Sequence, residues 1–294
     1  MKIGVLLGGR SSERDISLKS GNAVLASLLK MDYHAVPIDA RKGLAGKLNK
    51  EKINVAFIAL HGRWGEDGTV QGLLEIMGIP YTGSGVLGSA TAMDKVTMKL
   101  ILESKGIPTP RYIIAGDEGR ITQKLPFVVK PANEGSTIGI SLVHKRKDLR
   151  AALETALRYD KKVLIEEFIK GQEITVAIVD GKALPVVEVR PLKGFYDFEA
   201  KYTKGMTQYI VPAEISKRLA KKVQAVALDV YHGFDLAGCA RIDMLIRNDI
   251  PFVIDINTSP GMTETSLVPK AWTHSGQTFD GLVEEILKGA SLKI

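Results

Sequence analysis

The chain has 294 residues, about twice the usual size of one domain, so two or three domains are expected. Apolar residues make up 45% and charged residues 25%, a globular balance that excludes disorder, collagen and coiled coil as readings of the whole. The net charge is +7, but aromatics are only 6% and no stretch interleaves them with concentrated Lys and Arg, so the charge does not indicate a nucleic-acid surface.

A first buried strand is predicted at 3–7; with its preceding residues it is too short for the apolar core of a signal peptide. A helix follows at 15–30, then strands at 35–38 and 55–60 and a helix at 67–77. The 55–60 run is the longest without an interruption, far short of the roughly 20 residues a bilayer span needs. Buried strands alternating with helices predict an open parallel α/β unit over 1–92.

A helix at 94–105 stops at Gly106, Pro108 and Pro110. Strands at 112–115, 127–130 and 139–143, a helix at 147–158 and strands at 162–168 and 172–180 predict a small mixed unit over 93–179. The last unit, 180–294, carries a strand at 182–189, a loop over about 191–208, a helix at 214–231, strands at 236–247 and 252–257, and a helix near 280–289. The single cysteine, Cys239, lies on one of these strands; it excludes an intramolecular disulfide and a cysteine-rich zinc site, and fits a reducing compartment.

The most informative segment is Arg241-Ile242-Asp243-Met244 with Phe252-Val253-Ile254-Asp255-Ile256-Asn257. Alternation along a strand puts Arg241 and Asp243 on one face, and Asp255 and Asn257 likewise. Ile242, Met244 and Ile246, with Phe252, Ile254 and Ile256, take the other. In an antiparallel hairpin the polar rows coincide when Asp243 opposes Asp255 and Arg241 opposes Asn257. A constant register then requires an odd loop centred on Asp249, and a five-residue loop closed by Ile246 and Phe252 is expected instead of a two-residue Asn248-Asp249 turn. Taken alone, the cluster reads equally as a solvated polar face or as hard oxygen donors for Mg²⁺.

The turn that follows, Thr258-Ser259-Pro260-Gly261-Met262-Thr263, can aim backbone N–H groups at an oxyanion. With Asp255-Ile256-Asn257 it resembles the metal-binding end of the ATP-grasp fold, and more narrowly that of D-alanine–D-alanine ligases. The resemblance runs along the chain through Leu7-Gly8-Gly9-Arg10-Ser11-Ser12-Glu13, His61-Gly62 with Gly65-Glu66-Asp67-Gly68, and Gly83-Ser84-Gly85 leading to Met93-Asp94-Lys95. Lys130-Pro131, Glu134-Gly135-Ser136 and Tyr196-Asp197-Phe198-Glu199-Ala200-Lys201-Tyr202 complete it.

The resemblance implies an ATP-grasp fold of mixed α/β (in part α+β) class, with an N-terminal open parallel domain and two mixed domains enclosing a nucleotide cleft. It implies ATP-dependent ligation of two D-alanine molecules through an acyl phosphate, with Mg²⁺ or Mn²⁺, two ions, and room for a monovalent cation. It further implies a cytoplasmic homodimer with no nucleic-acid or membrane partner. Glu13, Ser136, Tyr202, Arg241 and Gly261 are the implied catalytic set. Glu13, His61, Lys201, Arg241, Gly261, Ser266 and Leu267 would meet the two D-alanines. Lys95 and Lys130 would meet phosphates, with Glu134, Gly135 and Ser136 in a glycine-rich loop that closes with the 191–208 loop to keep water from the acyl phosphate. Glu166, Glu167, Phe168 and Ile169 would hold adenine, Glu173 the ribose, and Asp243, Asp255 and Asn257 the metal, with Asn257 also facing nucleotide.

Several residues have plainer readings from sequence alone: a helix-dipole partner for Glu13, a backbone-satisfied loop histidine for His61, surface or strand-end lysines for Lys95 and Lys130. Asp255 stands where these ligases commonly carry glutamate; one methylene shorter, it still offers two oxygens to a metal but reaches less far for bidentate bridging of two ions. A D-alanine–D-lactate ligase and a non-catalytic nucleotide-binding regulator stay open as alternatives; the Lys201-Tyr202 pair favours the dipeptide former.

Overall fold

The computed structural model describes residues 1–116, 124–192, 205–263 and 265–294. Its first sheet is parallel, in the order β2-β1-β3, from β1 (Ile3–Leu7), β2 (Ala35–Asp39) and β3 (Val55–Ile58). Every residue of β1 and β3 is buried, as expected of parallel strands covered on both faces. Helix α1 (Arg14–Lys30) makes the first crossover and α2 (Leu44–Glu51) the second. The sequence did not signal α2, because it contains Gly46, is mostly polar and buries only Leu48; parallel pairing nonetheless demands a crossover there.

Helices α3 (Thr69–Met77), α4 (Val86–Met93) and α5 (Lys95–Ser104) lead to a four-stranded antiparallel sheet. Its order is β4-β7-β5-β6, from β4 (Tyr112–Ile114), β5 (Phe127–Pro131), β6 (Ser141–Val143) and β7 (Val163–Glu167). Asp94 caps α5 by accepting from Val96 and Thr97 N–H at 3.1 and 3.0 Å. Helix α4, rich in small residues, gave no period to read.

The third sheet runs β11-β10-β8-β12-β13, with β9 (Lys182–Ala183) also on β8 (Gln172–Val179). Its remaining strands are β10 (Val187–Pro191), β11 (Thr207–Ile210), β12 (Cys239–Arg247) and β13 (Ile250–Asn257). Strand β8 pairs with β12 over its whole length, so a cut between 179 and 180 passes through this sheet. The expected 182–189 strand is broken into two pieces, and β11 begins inside what reads as loop. On one face of the sheet, Leu219, Val223, Ala227 and Val230 of α7 (Lys217–Gly233, following α6, Leu149–Leu157) pack at helical spacing against Ile174, Val176, Ile242 and Met244. Helices α8 (Leu267–His274) and α9 (Phe279–Lys288) share a core with the first sheet, where Val268 and Leu282 meet Val5 and Leu28. Pro269 hid α8 from sequence reading, yet it lies in the first turn, where a missing N–H costs nothing.

The hairpin β12–β13 corrects the expected loop. Arg241 opposes Asn257 and Asp243 opposes Asp255, as the polar pattern requires, but Met244 opposes Val253. Ile254 is thus an extra residue, a β-bulge. It shifts the register by one, so the hairpin closes on a two-residue Asn248-Asp249 turn after all, both residues having positive φ. The bulge also moves Phe252 to the polar side, opposite half-buried Leu245, and turns Pro251 and Val253 inward.

Candidate active site

A cavity of about 650 Å³ lies where the three sheets meet. The polar face of β12 and β13 supplies one wall with Arg241, Asp243, Asp255 and Asn257. Strand β8 adds Glu173 and Thr175, the start of α1 adds Glu13, and the turn after β13 adds Ser259, Pro260 and Gly261, with Ser266 and Leu267 beyond.

Glu13 sits at the start of α1, 9% exposed, and accepts a hydrogen bond from Ser136 Oγ of the glycine-rich loop. Two glycines make room for its carboxylate: a Cβ on Gly62, which has φ +68°, would stand 2.6 Å from Oε2, and one on Gly135 would stand 2.7 Å away. The loop is fastened to the first sheet's edge in two further places. Ser12 Oγ donates to Glu134 Oε2 at 3.1 Å, and Arg63 Nε lies 3.2 Å from Glu134 Oε1. Ser136 and Thr137 both take left-handed backbone conformations, uncommon for residues with a side chain.

Both ring nitrogens of His61 are engaged. Nδ1 lies 2.7 Å from Ser259 O, a carbonyl, so it donates; neutral Nε2 then accepts from Ser20 Oγ at 3.0 Å. Ser20 Oγ in turn accepts from Met262 N–H at 3.1 Å. Burial holds the imidazole below its ordinary pKa despite Glu13 nearby, in keeping with the neutral tautomer. His61 therefore pins the 259–262 turn to α1. Glu66 ties the same turn to the loop after β3, accepting from Gly62 N–H at 2.7 Å and Ser259 N–H at 3.1 Å. Burial, and then the charge of Glu13, push its carboxyl up to about 8.

Across the cavity, Arg241 grips Asp243 with two bonds of 2.8 Å, Nε to Oδ1 and Nη2 to Oδ2. Thr175 Oγ1 donates to Asp243 Oδ1 at 2.6 Å, and Asn257 Nδ2 to Oδ2 at 3.2 Å. Asp255 Oδ1 lies 3.2 Å from Lys95 Nζ, which also donates to Glu134 O at 2.9 Å. Burial would depress the Lys95 ammonium, but Asp255 and other carboxylates hold it above its ordinary value. Among the described residues no three His, Cys, Asp or Glu side chains converge as a metal cage. Two carboxylates and one carboxamide line this wall, hard oxygen donors that suit a divalent cation taking its remaining oxygens from a ligand.

Beneath this wall is a second charge cluster. Glu166 is buried, and Lys130 Nζ and Lys99 Nζ each lie 2.9 Å from its Oε1. Neither ammonium is aligned for a hydrogen bond at that oxygen, so the contacts are ionic. Burial opposes the Glu166 charge, but Lys130 and Lys99 hold its pKa below the usual value. Glu167 pairs with Arg247 at 2.6 Å, Phe168 is half-buried and Ile169 buried. Lys201, Tyr202 and most of the 191–208 loop lie outside the described residues.

The structure thus gathers Glu13, His61, Ser136, Glu173, Arg241, Asp243, Asp255, Asn257, Gly261, Ser266 and Leu267 around one cavity, with Lys95 and Glu134 at its edge through Asp255. Sequence reading quoted Glu66 within the Gly65-Glu66-Asp67-Gly68 segment without giving it a role, and missed Ser20, Thr175 and Lys99. Only Lys99 carried a signal, its i, i+4 spacing from Lys95 on one helix. Cys239 is buried and its thiol is pushed up to about 12, which leaves it inert at neutral pH. No helix among the described residues is long and apolar enough to cross a membrane.

Comparison with known proteins accords with this geometry. The family model described as D-ala D-ala ligase C-terminus matches residues 101–288, and the corresponding N-terminus model matches 40–84. The D-alanine–D-alanine ligase of Syntrophotalea carbinolica is 50% identical, covering 99% of this chain and 97% of the relative. That of Geotalea uraniireducens is 47% identical over 100% and 96%. Two crystal structures of the Bacillus anthracis D-alanine–D-alanine ligase superpose over 98% of this chain and 97% of theirs. One has a TM-score of 0.88 at 40% identity; the other, complexed with ATP, has 0.85 at 37%. The fold is the ATP-grasp fold, and the chain belongs to the D-alanine–D-alanine ligase family.

Proposed function

We propose that this chain joins two D-alanine molecules at the expense of ATP. The observation that carries the reading is the cavity itself. An arginine and a fixed N–H-bearing turn face a buried carboxylate across it, with two aspartates and an asparagine on the adjoining wall.

Glu13 holds the ammonium of the first D-alanine, and neutral Glu66 behind it keeps the negative charge single. ATP phosphorylates that substrate's carboxylate, giving an acyl phosphate and ADP. The amine of the second D-alanine attacks the acyl carbon, and phosphate leaves. Arg241 and the Gly261 N–H stabilise the oxyanion of the tetrahedral intermediate. The backbone at Ser266 and Leu267, opening helix α8, receives the second carboxylate. No protein nucleophile is required.

Lys95 and Lys130 meet phosphate oxygens, and the 134–139 loop lays its N–H groups over them. With the Glu166 carboxylate tied to lysines, adenine meets chiefly the backbone of 166–169, and Glu173 meets the ribose. Asp243, Asp255 and Asn257 would hold Mg²⁺ or Mn²⁺, which would supply charge neutralisation and orientation of phosphates. With metal taking over the charge of both aspartates, Arg241 and Lys95, which pair with Asp243 and Asp255 in the structure, would be left to turn toward the reacting groups. Ser136 couples loop closure to Glu13. The reading includes a cytoplasmic homodimer; for the compartment, the single cysteine fits a reducing environment.

ADP release is the test. D-alanine should elicit ADP and a dipeptide product, while L-alanine, D-lactate alone or no substrate should not. Depsipeptide formed in competition with D-lactate would favour the lactate-using alternative. Nucleotide binding without ADP release would favour a regulator.

A further inference from the structure

A buried charge beside Lys95 and Lys130 has no role in the mechanism. Lys99 is fully buried on α5, one turn beyond Lys95. Its ammonium donates to Thr109 Oγ1 at 2.8 Å and to Pro110 O at 2.9 Å, and lies 5.2 Å from the centre of the Tyr112 ring. Thr109 Oγ1 itself donates to Val253 O at 2.9 Å, one residue before the bulge at Ile254. Lys99 is therefore fixed on one side by neutral oxygens that do not leave. On the other it faces Glu166 Oε1, the same oxygen that Lys130 Nζ approaches at 2.9 Å. Lys130, in contrast, has Glu166 as its one ion-pair partner among the described residues.

An ammonium cannot serve a phosphate while it neutralises a buried carboxylate, unless something else takes over the carboxylate. Stripping a buried ion of its last partner is strongly unfavourable. We propose that Lys99 is a positioning residue that remains with Glu166 when Lys130 turns to the nucleotide, so that Lys130 is free to bind phosphate. Two cations to one carboxylate leave the cluster with a surplus positive charge before nucleotide arrives, and that surplus is what an anionic phosphate draws on. Both lysines approach Oε1 at 2.9 Å, so what separates them is their other partners, and a contact resting on Oε1 alone suits one that is exchanged. The fixed seat of Lys99, with Thr109 and Pro110 as acceptors, suits one that stays.

The inference rests on the assignment of Lys130 to a phosphate, and the test separates the two. Initial rates of ADP release give KM for ATP, KM for D-alanine and kcat for Lys99→Met, Glu166→Gln, the double variant and Lys130→Met. K99M should raise the ATP KM about tenfold or more, because a buried carboxylate now holds Lys130 back, with the D-alanine KM little changed. In the E166Q background, where nothing retains Lys130, adding K99M should move the ATP KM by less than about threefold; such non-additivity is the mark of a shared partner. An unchanged ATP KM in K99M, or an equal effect of K99M with and without E166Q, would overturn the inference. An unchanged ATP KM in K130M would instead remove Lys130 from its phosphate. Should K99M not fold, Lys99→Gln, whose amide can still donate to Pro110 O, carries the same expectations.

Discussion

Replacing Arg241 with alanine separates two roles that the structure gives one side chain. In the structure its guanidinium bonds Asp243 twice at 2.8 Å; during turnover it is assigned to the oxyanion. Loss of an oxyanion donor costs about 3 kcal/mol of transition-state stabilisation, so kcat should fall by about 10²-fold or more. The stability cost is smaller. Arg241 and Asp243 are 18% and 15% exposed, and Thr175 and Asn257 still bond Asp243 in the variant. Bonds to charged groups contribute about 1.5–3 kcal/mol each when intact; with the carboxylate still satisfied, we expect a loss near the lower end of that range. Magnesium-dependent ADP affinity should not weaken, because the variant removes the cation that occupies Asp243. Arg241→Lys keeps the charge but not the fork, and should recover only part of the turnover. Coupled ADP-release kinetics and calorimetric titration of ADP with and without Mg²⁺ measure both effects. Near-normal kcat would remove Arg241 from the oxyanion, and ADP affinity lost in step with kcat would mean that Arg241 serves nucleotide binding.

Asp255→Ala should raise the Mg²⁺ concentration needed for half-maximal rate, and a metal dependence identical to the unmodified protein's would exclude Asp255 as a ligand. Glu66 makes folding pH-dependent. Its carboxyl titrates near 8 in the folded protein against an ordinary 4.5, so the folded state holds a proton that the unfolded chain releases. Its contribution is complete below pH 4.5 and is lost as pH rises through 8; the melting temperature should therefore fall more steeply between these limits than in Glu66→Gln, and parallel curves would refute the assignment. Ser20→Ala removes the link between Met262 N–H and His61 Nε2, leaving buried groups unpaired at about 1–3 kcal/mol. The D-alanine KM should rise while the ATP KM holds, and equal changes in both would show a general loosening instead.

The local patterns in this chain were sufficient for much of the architecture. The buried runs of β1, β3, β5 and β7, the long helices α1, α5 and α7, and the shared polar face of Arg241, Asp243, Asp255 and Asn257 follow from side-chain periodicity alone. Short elements escaped where composition opposed them: α2 with its internal glycine, α4 with its small residues, α8 with Pro269. The bulge at Ile254 escaped for a different reason. Alternation predicts a register only while the count on both strands is equal, and one extra residue reconciles a polar pairing with a turn that the count alone had excluded.

What pairing and packing across the three sheets decided is which charges meet. That Glu13 faces Ser136, that Lys95 reaches Asp255, and that Thr175 braces Asp243 are contacts between residues 68 or more positions apart, and local spacing gives notice of none of them. Burial is likewise a property of the assembled layers. It neutralises Glu66 and His61 and turns Lys99 from a residue one turn along a helix into a fixed counter-ion. Residue type and period therefore outlined the polar face from the sequence, and the resemblance of the motifs named its family. The distances and desolvation that set each group's charge and partner exist only once the layers close over one another.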